Sequence, residues 1–172
     1  RSLPALQPLA SEGPLTLVGD ATARQGGGDG TVRGELRRHL GRAAPGGYMA
    51  IQAYLAPSQE RTEALQAIQS LLRDRTGRAT TVGYGPRYLH STGQLHKGGA
   101  PVGWFLQLVA PHPRDLPIPG AGHSFGTLID AQAIGDFQAL EAHGLPVLRV
   151  DCSQDPATGL AALRAALEQA LD

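Results

Sequence analysis

The sequence predicts an α/β protein, a three-layer αβα sandwich with a mainly parallel sheet. Two observations lead to this prediction. Apolar runs of strand length alternate along the chain with segments whose apolar residues recur at helical spacing. The longest strand-like run, Tyr48–Leu55, is apolar at almost every position, which is typical of a strand buried on both faces. With 172 residues, the chain is long enough for one domain with a full core.

The segment 1–30 is predicted to be poorly ordered or to serve as a linker. The run 25–30, Gln-Gly-Gly-Gly-Asp-Gly, has the composition of a flexible hinge, and residues 15–18 could form a short strand before it. Prolines oppose helix formation at three positions in this part of the chain: Pro4, Pro8 and Pro14. The α/β domain is therefore expected to span residues 31–172.

The first half of this domain is predicted to hold two helices and two strands. Apolar residues at every fourth position indicate a short helix that ends near Gly41. The strand Tyr48–Leu55 follows it. A helix then begins at Ser58, a typical N-cap, and ends at Gly77. A short strand, Ala79–Val82, leads into a glycine-rich loop.

The second half repeats this alternation. The strand Val102–Ala110 is followed by a proline-rich loop and by a helix that Ser124 caps. The strand Val147–Val150 precedes a last helix, which begins after Asp155 with a proline in its first turn. An apolar stripe of four leucines marks this helix: Leu160, Leu163, Leu167 and Leu171.

Composition excludes several classes of function. Fifteen basic and fifteen acidic residues give a formal charge of zero, so no overall field attracts nucleic acid or a membrane surface. No apolar run approaches the ~20 residues of a spanning helix, and no signal-peptide pattern is present. Cys152 is the single cysteine, which excludes an internal disulfide and favours a cytoplasmic protein. The chain also begins without Met, and we interpret it as a piece of a longer polypeptide.

The run 83–99 is the most informative part of the chain. It contains five glycines, two histidines, an arginine, a lysine and two adjacent hydroxyls. Glycine lets backbone N–H groups approach a ligand closely, and the cations supply positive charge. Because ligands of parallel sheets lie outside the carboxyl ends of the strands, the position of this loop after a strand suits binding. We predict that it wraps a small anionic ligand.

No cofactor is predicted. His90 and His96 lack a third metal ligand nearby, so a metal site is disfavoured. The glycines at 83 and 85 lack the third glycine and the helix of a dinucleotide fingerprint.

Four segments together resemble the C-terminal region of bifunctional transaldolase/glucose-6-phosphate isomerase proteins. They are Tyr48–Leu55, the run 83–99 with its His-Ser-Thr-Gly-Gln-Leu-His-Lys-Gly-Gly core, the Leu-Pro-Ile-Pro loop at 116–119, and residues 125–136. The resemblance covers roughly residues 47–150. It implies a sugar-isomerase (SIS) fold, in agreement with the alternation above, and a place in glycolysis, gluconeogenesis or the pentose phosphate pathway.

The segment from His90 to Gln94 also resembles the His-Ser-x-Gly-Gln segment of short bacterial phosphoglucose isomerases. There the histidine belongs to the active site and is associated with opening the sugar ring. An imidazole can serve as acid or base near neutrality, so the resemblance implies this catalytic role for His90. The alternative is a histidine that only caps a turn beside Ser91.

The other candidate substrate-binding residues are Arg87, Ser91, Thr92, Gln94, His96, Lys97 and Ser124. Lys97 could pair with a phosphate or be a solvated loop lysine, and His96 could orient substrate or stack against Tyr88. Ser91 and Thr92 offer hydroxyls beside glycine N–H groups. Ser124 lies at a helix N-terminus, where it could either help to bind an anion or only cap the helix. Arg87 could reach the same site or form a surface salt bridge.

Isomerisation also needs a carboxylate that carries a proton between C1 and C2, and groups that stabilise the enediolate. The glutamate motif and the lysine motif of the family do not occur in this chain. We expect both in upstream isomerase and transaldolase regions of the same polypeptide, and we expect this chain to be inactive by itself. The alternatives are a non-catalytic sugar-phosphate-binding or assembly domain and a structural cap. A homodimer is a further expectation.

Overall fold

A computed structural model describes residues 6–153 and 155–172. The protein has an α/β fold in which helices flank a six-stranded mixed sheet. The strands are β1 (Ala10–Glu12), β2 (Leu15–Gly19), β3 (Tyr48–Tyr54), β4 (Thr80–Tyr84), β5 (Gly103–Val109) and β6 (Val147–Asp151). The helices are α1 (Ala21–Arg24), α2 (Val32–Leu40), α3 (Gln59–Thr76), α4 (Thr92–Gly98), α5 (Phe125–Ala142) and α6 (Pro156–Leu171).

The strand order across the sheet is β1-β2-β6-β5-β3-β4. The four strands β3 to β6 run parallel to one another, whereas β2 is antiparallel to β6 and β1 is antiparallel to β2. Helices join the consecutive parallel strands, as parallel pairing requires. The prediction of a mainly parallel sheet is thus confirmed, with an antiparallel hairpin at one edge.

Both faces of the central strands are buried, which explains their nearly continuous apolar sequence. On one face, alternate residues such as Ile51 and Leu106 pack against α2, α3 and α6. On the other face, Phe105 packs against Phe137 of α5. The helices therefore form two layers around the sheet. Each fully buried leucine of the α6 stripe, such as Leu163, contributes about 2 kcal/mol relative to exposure.

The predicted helix caps are confirmed. The Ser58 side chain accepts a hydrogen bond from the backbone N–H of Arg61, and Asp155 caps α6 in the same manner. Gly77 ends α3 with a φ of 67°, a left-handed conformation that favours glycine. Among the described helices, none has both the length and the apolar character needed to cross a membrane.

The N-terminal segment differs from the prediction. Within 1–30, a region predicted to be poorly ordered or a linker, residues 10–24 form β1, β2 and α1, and Leu17 is fully buried in the main core. Asp20 explains how the segment docks. Its carboxylate accepts hydrogen bonds from the backbone N–H groups of Ala23 and Val147, at 2.9 and 3.0 Å, and pairs with Arg42 at 2.8 Å. Residues 1–5 of the predicted linker lie outside the described part of the chain.

Candidate functional site

The topology creates a crevice at the carboxyl ends of β3 and β5. These strands are neighbours in the sheet, but the helices that follow them, α3 and α5, cover opposite faces. The loops after the two strands therefore diverge. In open α/β sheets a crevice of this kind, outside the carboxyl ends and at the point where strand order reverses, is the usual place for a ligand. The glycine-rich run after β4 begins at the same edge.

The run 83–99 is more ordered than its glycine content predicts. It leaves β4, turns at 85–91 and forms the short helix α4. Tyr88 and His96 are buried, and they anchor the run to the sheet. A Cβ at Gly93 would lie 3.0 Å from the Tyr88 carbonyl oxygen, so this glycine permits a close approach of two backbone segments. The prediction of a loop is wrong for 92–98, which forms a helix because packing overrides the local preference.

A buried carboxylate holds this run in place. Asp136 of α5 accepts hydrogen bonds from the hydroxyls of Tyr54 and Tyr88, at 3.2 and 2.9 Å. Its Oδ1 lies 2.5 Å from the Nζ of Lys97 on α4. Burial raises the pKa of Tyr88, and the Asp136 charge raises it further; the same two causes act on Tyr54. Both tyrosines are therefore neutral hydrogen-bond donors across the physiological range.

Lys97 is consequently engaged within the protein. Its side chain is 25% exposed, and its ammonium group faces the nearly fully buried Asp136. A lysine that neutralises a buried carboxylate is poorly placed to serve as a free counter-charge for a phosphate, because separation would leave Asp136 unpaired. The geometry thus gives Lys97 a positioning role in the loop.

His96 is also engaged within the protein. Its Nδ1 lies 2.8 Å from the Tyr48 hydroxyl, and its ring packs edge-on against Phe105 and Tyr88. His96 thus contacts Tyr88 as predicted, but edge-on, with ring centroids 6.3 Å apart and an interplanar angle of 66°; the ring that stacks on His96 is Tyr48, at 5.6 Å. Burial lowers the pKa of His96, although the Asp136 charge acts in the opposite direction. The neutral, buried imidazole of His96 therefore packs α4 against the sheet.

The remaining predicted residues of the run lie on its outer side. His90, Thr92 and Gln94 are exposed, and within the described residues the His90 side chain has no hydrogen-bond partner. The Ser91 hydroxyl donates to the Tyr88 carbonyl at 3.2 Å. The exposed Arg87 lines a cavity of ≈ 220 Å³ beside the end of β3. The structure therefore leaves these side chains accessible to solvent.

Ser124 caps α5 and does not offer an empty anion site. Its hydroxyl accepts a hydrogen bond from the N–H of Thr127, at 3.2 Å. The Asp115 carboxylate accepts one from the N–H of Gly126, at 2.8 Å. The hydrogen bond from Ser124 and that from the Gly126 N–H hold the pKa of Asp115 below its usual range. A carboxylate of the protein itself thus accepts a hydrogen bond from the N-terminus of α5. Of the two alternatives for Ser124, anion binding and helix capping, the structure shows capping.

Sequence reasoning missed a second group of polar residues at the same edge. Arg61, His112 and Arg114 line a cleft of ≈ 480 Å³ beside the end of β3. The His112 Nε2 lies 2.9 Å from an Asp130 oxygen. Arg61 belongs to α3, whereas His112 and Arg114 lie two residues apart in the proline-rich loop after β5, so no single motif contains all three. Among residues 6–153 and 155–172, no three His, Cys, Asp or Glu side chains are grouped in a way that suits a metal ion.

Comparisons with known proteins bear on the fold. No family model matches the chain, and no curated protein sequence matches it either. Among solved structures, the chain is similar to a hypothetical protein, TT0462, from Thermus thermophilus, with a TM-score of 0.63 and 16% sequence identity. The similarity covers 81% of this chain and 38% of that chain, so this chain spans well under half of that protein. At this identity the likeness shows an α/β fold with a mostly parallel mixed sheet between helices.

Proposed function

We propose that the chain is the C-terminal domain of a glucose-6-phosphate isomerase with a SIS-type fold. In this proposal the run 83–99 forms part of a sugar-phosphate site, and His90 opens the sugar ring before glucose 6-phosphate and fructose 6-phosphate interconvert. The remaining isomerase groups, a carboxylate and a lysine, come from upstream regions of a polypeptide that also carries a transaldolase. The family resemblance of four segments supports this assignment, and the single cysteine supports a cytoplasmic location.

One observation carries the proposal. His90 is an exposed imidazole on a turn whose backbone is fixed from below by the buried Tyr88 and Asp136. A solvent-facing histidine held on a rigid support suits proton transfer to a bound molecule. For ring opening, the imidazole takes the proton of the anomeric hydroxyl and returns a proton to the ring oxygen. The bond between C1 and the ring oxygen breaks, and C1 becomes a carbonyl carbon.

The exposed face offers the groups that such a substrate needs. Thr92 and Gln94 present hydroxyl and amide groups to solvent, and Arg87 supplies a cation at a neighbouring cavity. Lys97 and His96 enter the proposal as residues that position the run, because both are engaged within the protein. Of the predicted substrate-binding residues, Lys97 and His96 therefore take the alternative role of supporting the run.

The test is His90→Ala in the complete polypeptide, with His143→Ala as the matched control. His143 is an exposed histidine at the end of α5, remote from the run 83–99 in sequence. We expect the His90 variant to lower the kcat of isomerisation by about 100-fold or more, since acid–base groups contribute at this level. The control should keep its kcat. Turnover of the His90 variant close to that of the parent protein would refute the proposed role.

A second candidate is a non-catalytic sugar-phosphate-binding or assembly domain. The observation that favours it is the ion pair between Lys97 and Asp136. Because this ammonium group pairs with a buried carboxylate, it is not available to a ligand. Under this alternative, His90→Ala weakens the binding of fructose 6-phosphate and leaves kcat unchanged. Calorimetric titration of the same two variants separates the candidates.

A further inference from the structure

The cleft lined by Leu55, Arg61, Ala110, His112, Arg114 and Pro156 is called the basic cleft here. It occupies the point where the loops after β3 and β5 diverge, and the N-terminus of α6 closes it on a third side. Its volume of ≈ 480 Å³ lies within the range of small-molecule sites in proteins, roughly 300–1,000 Å³. The basic cleft thus has the place and the size of a ligand site in an open α/β sheet.

Two arginines face this space from different elements. Arg61 belongs to the first turn of α3, and its Nη1 donates to the Ala56 carbonyl at 2.6 Å. This bond holds the guanidinium against the loop after β3 and leaves other N–H donors for a ligand. Arg114 is exposed and forms no ion pair or side-chain hydrogen bond within the described residues. Planar guanidinium groups suit bidentate binding of a phosphate.

His112 supplies the third basic group, and its ring is oriented. The Nε2 lies 2.9 Å from the Asp130 carboxylate, and the histidine side chain is 24% exposed. A carboxylate on one ring nitrogen fixes the orientation of the imidazole. It leaves Nδ1 for a bound molecule, as a donor when the ring is protonated.

One further charge lies at the mouth of the basic cleft. Asp155 accepts a hydrogen bond from the N–H of Ala157, at 3.2 Å, and another from the Thr158 hydroxyl. The Thr158 bond and the Ala157 N–H hold its pKa below the usual range, with a smaller effect from Arg61. This carboxylate therefore serves the helix cap, and among the described residues Arg114 has no carboxylate partner.

We propose that the basic cleft binds a phosphate monoester of a small polar molecule. The phosphate group lies against Arg61, Arg114 and His112, and the carbon skeleton contacts the apolar floor of Leu55 and Ala110. None of the candidate site residues predicted from the sequence lines this cleft. The inference therefore goes beyond the proposed role of His90 and can be tested apart from it.

The experiment is titration of the chain with glucose 6-phosphate, with inorganic phosphate and with glucose as separate probes. Binding is followed by the melting temperature and by the nuclear magnetic resonance signals of the His112 ring. We expect saturable binding of the ester, weaker binding of inorganic phosphate, and no response to glucose. Arg114→Gln and His112→Gln should each weaken ester binding about tenfold, the loss expected for one charge-assisted contact.

Arg164→Gln is the matched control, because Arg164 is an exposed arginine of α6 that pairs with Glu168 outside the basic cleft. Arg114 is itself exposed, so its replacement leaves the fold intact. The proposal is overturned if the ester does not saturate at millimolar concentration, if inorganic phosphate binds as tightly as the ester, or if the control loses affinity equally. Loss of ester binding in His90→Ala with no loss in Arg114→Gln would also overturn it and would leave the isomerase proposal standing. The reverse pattern supports the basic cleft whatever the isomerase assay shows.

Discussion

Lys97 of α4 and Asp136 of α5 form an ion pair on the same face of the sheet, with Nζ 2.5 Å from Oδ1. The carboxylate is 1% exposed, and two tyrosine hydroxyls also donate to it. The pair joins the glycine-rich run to a long helix that begins only at Phe125, after the whole of β5 and the proline-rich loop. The conformation of the surface that carries His90 thus depends on a contact on its inner side.

Asp136→Asn is expected to destabilise the protein by about 3 kcal/mol, the usual cost of removing one partner of a buried pair. The amide still accepts from Tyr88, but it leaves the Lys97 ammonium without a counter-charge. Urea denaturation measures this change. Lys97→Met in the same background should restore part of the loss, because two uncharged side chains leave no isolated charge.

Asp74→Asn is the control for this experiment. Its carboxylate pairs with Arg73 on the surface and is 63% exposed, so a change within about 1 kcal/mol is expected. An Asp136 variant as stable as this control would show that the buried pair does not hold the run 83–99.

His39 makes the stability depend on pH. The ring is buried, Nε2 lies 2.8 Å from the Phe105 carbonyl oxygen, and burial lowers the pKa to about 3. The unfolded chain protonates this histidine near pH 6.5, whereas the folded chain does not. The free energy of unfolding is therefore expected to fall as the pH drops below about 6.5, by up to ~1.4 kcal/mol per pH unit.

His39→Gln should flatten this dependence between about pH 6.5 and 4.5, because an amide does not titrate and can still donate toward the Phe105 carbonyl. The measurement is urea denaturation at several pH values. His143→Gln, at an exposed site, should keep the slope of the parent protein. An unchanged slope in the His39 variant would contradict the assignment.

Below about pH 4 a second pH effect on stability is expected, from the carboxylate of Asp20. Burial acts to raise its pKa, but the hydrogen bonds from Arg42 and two backbone N–H groups outweigh it and lower the pKa. The stability that these contacts supply is present above the ordinary pKa of 3.8 and is lost as the pH falls through the lower folded value. Asp20→Asn should remove this acid-induced part of the pH profile while it lowers stability at neutral pH.

Gly85→Ala is expected to destabilise the turn that leads into the run. A Cβ at this position would lie 2.5 Å from ring atoms of Tyr54, whose hydroxyl reaches Asp136. Overpacking of this kind costs about 2 kcal/mol, and the melting temperature should fall by roughly 6 °C. Gly98→Ala is the control, since nothing lies within 4 Å of its Cβ position. Equal melting temperatures for the two variants would contradict this packing argument.

Cys152 is expected to resist thiol reagents in the folded protein. It is fully buried, and burial raises the pKa of its thiol to about 12, so the reactive thiolate is scarce. In native buffer at mild alkaline pH, labelling should proceed no faster than unfolding, and in urea it should be rapid. Because the chain holds one cysteine, the reagent reports on this site alone. Rapid native labelling would show that the end of β6 opens locally.

The elements that local patterns describe were predictable. The strand at Tyr48–Leu55 can be read from a short apolar run, and the structure confirms it. The caps Ser58 and Asp155 bond to N–H groups two or three residues further on, so they too can be predicted from local sequence, and the structure confirms both. The strand β2 was foreseen only as a short possibility, because its burial depends on pairing with β6 at the other end of the chain. The prolines of the first segment indicate irregular structure, and long-range pairing overrides that signal.

The candidate site was predictable in outline. The run begins at the carboxyl end of β4, as the sequence predicts, but it then crosses the sheet, and His96 contacts Tyr48 at the amino end of β3. Which side chains of the run face solvent depends on Asp136, a residue of a later helix whose contact with the run no local pattern indicates. The basic cleft could not be predicted for a similar reason, since Arg61 of α3 meets His112 and Arg114 of the loop after β5 only after the sheet has formed.

The antiparallel pairing of β2 with β6 has a consequence for synthesis on the ribosome. Asp20 finds its partner, the N–H of Val147, 127 residues further along the chain. The hairpin of β1 and β2 can form early and α2 can pack against it, but the free edge of β2 stays unpaired until nearly all of the domain has emerged. Contacts of such large sequence separation slow folding, and an exposed strand edge invites wrong pairing in the meantime. The nascent domain therefore spends a long interval with β2 only partly paired, and a chaperone can bind this apolar strand during that time.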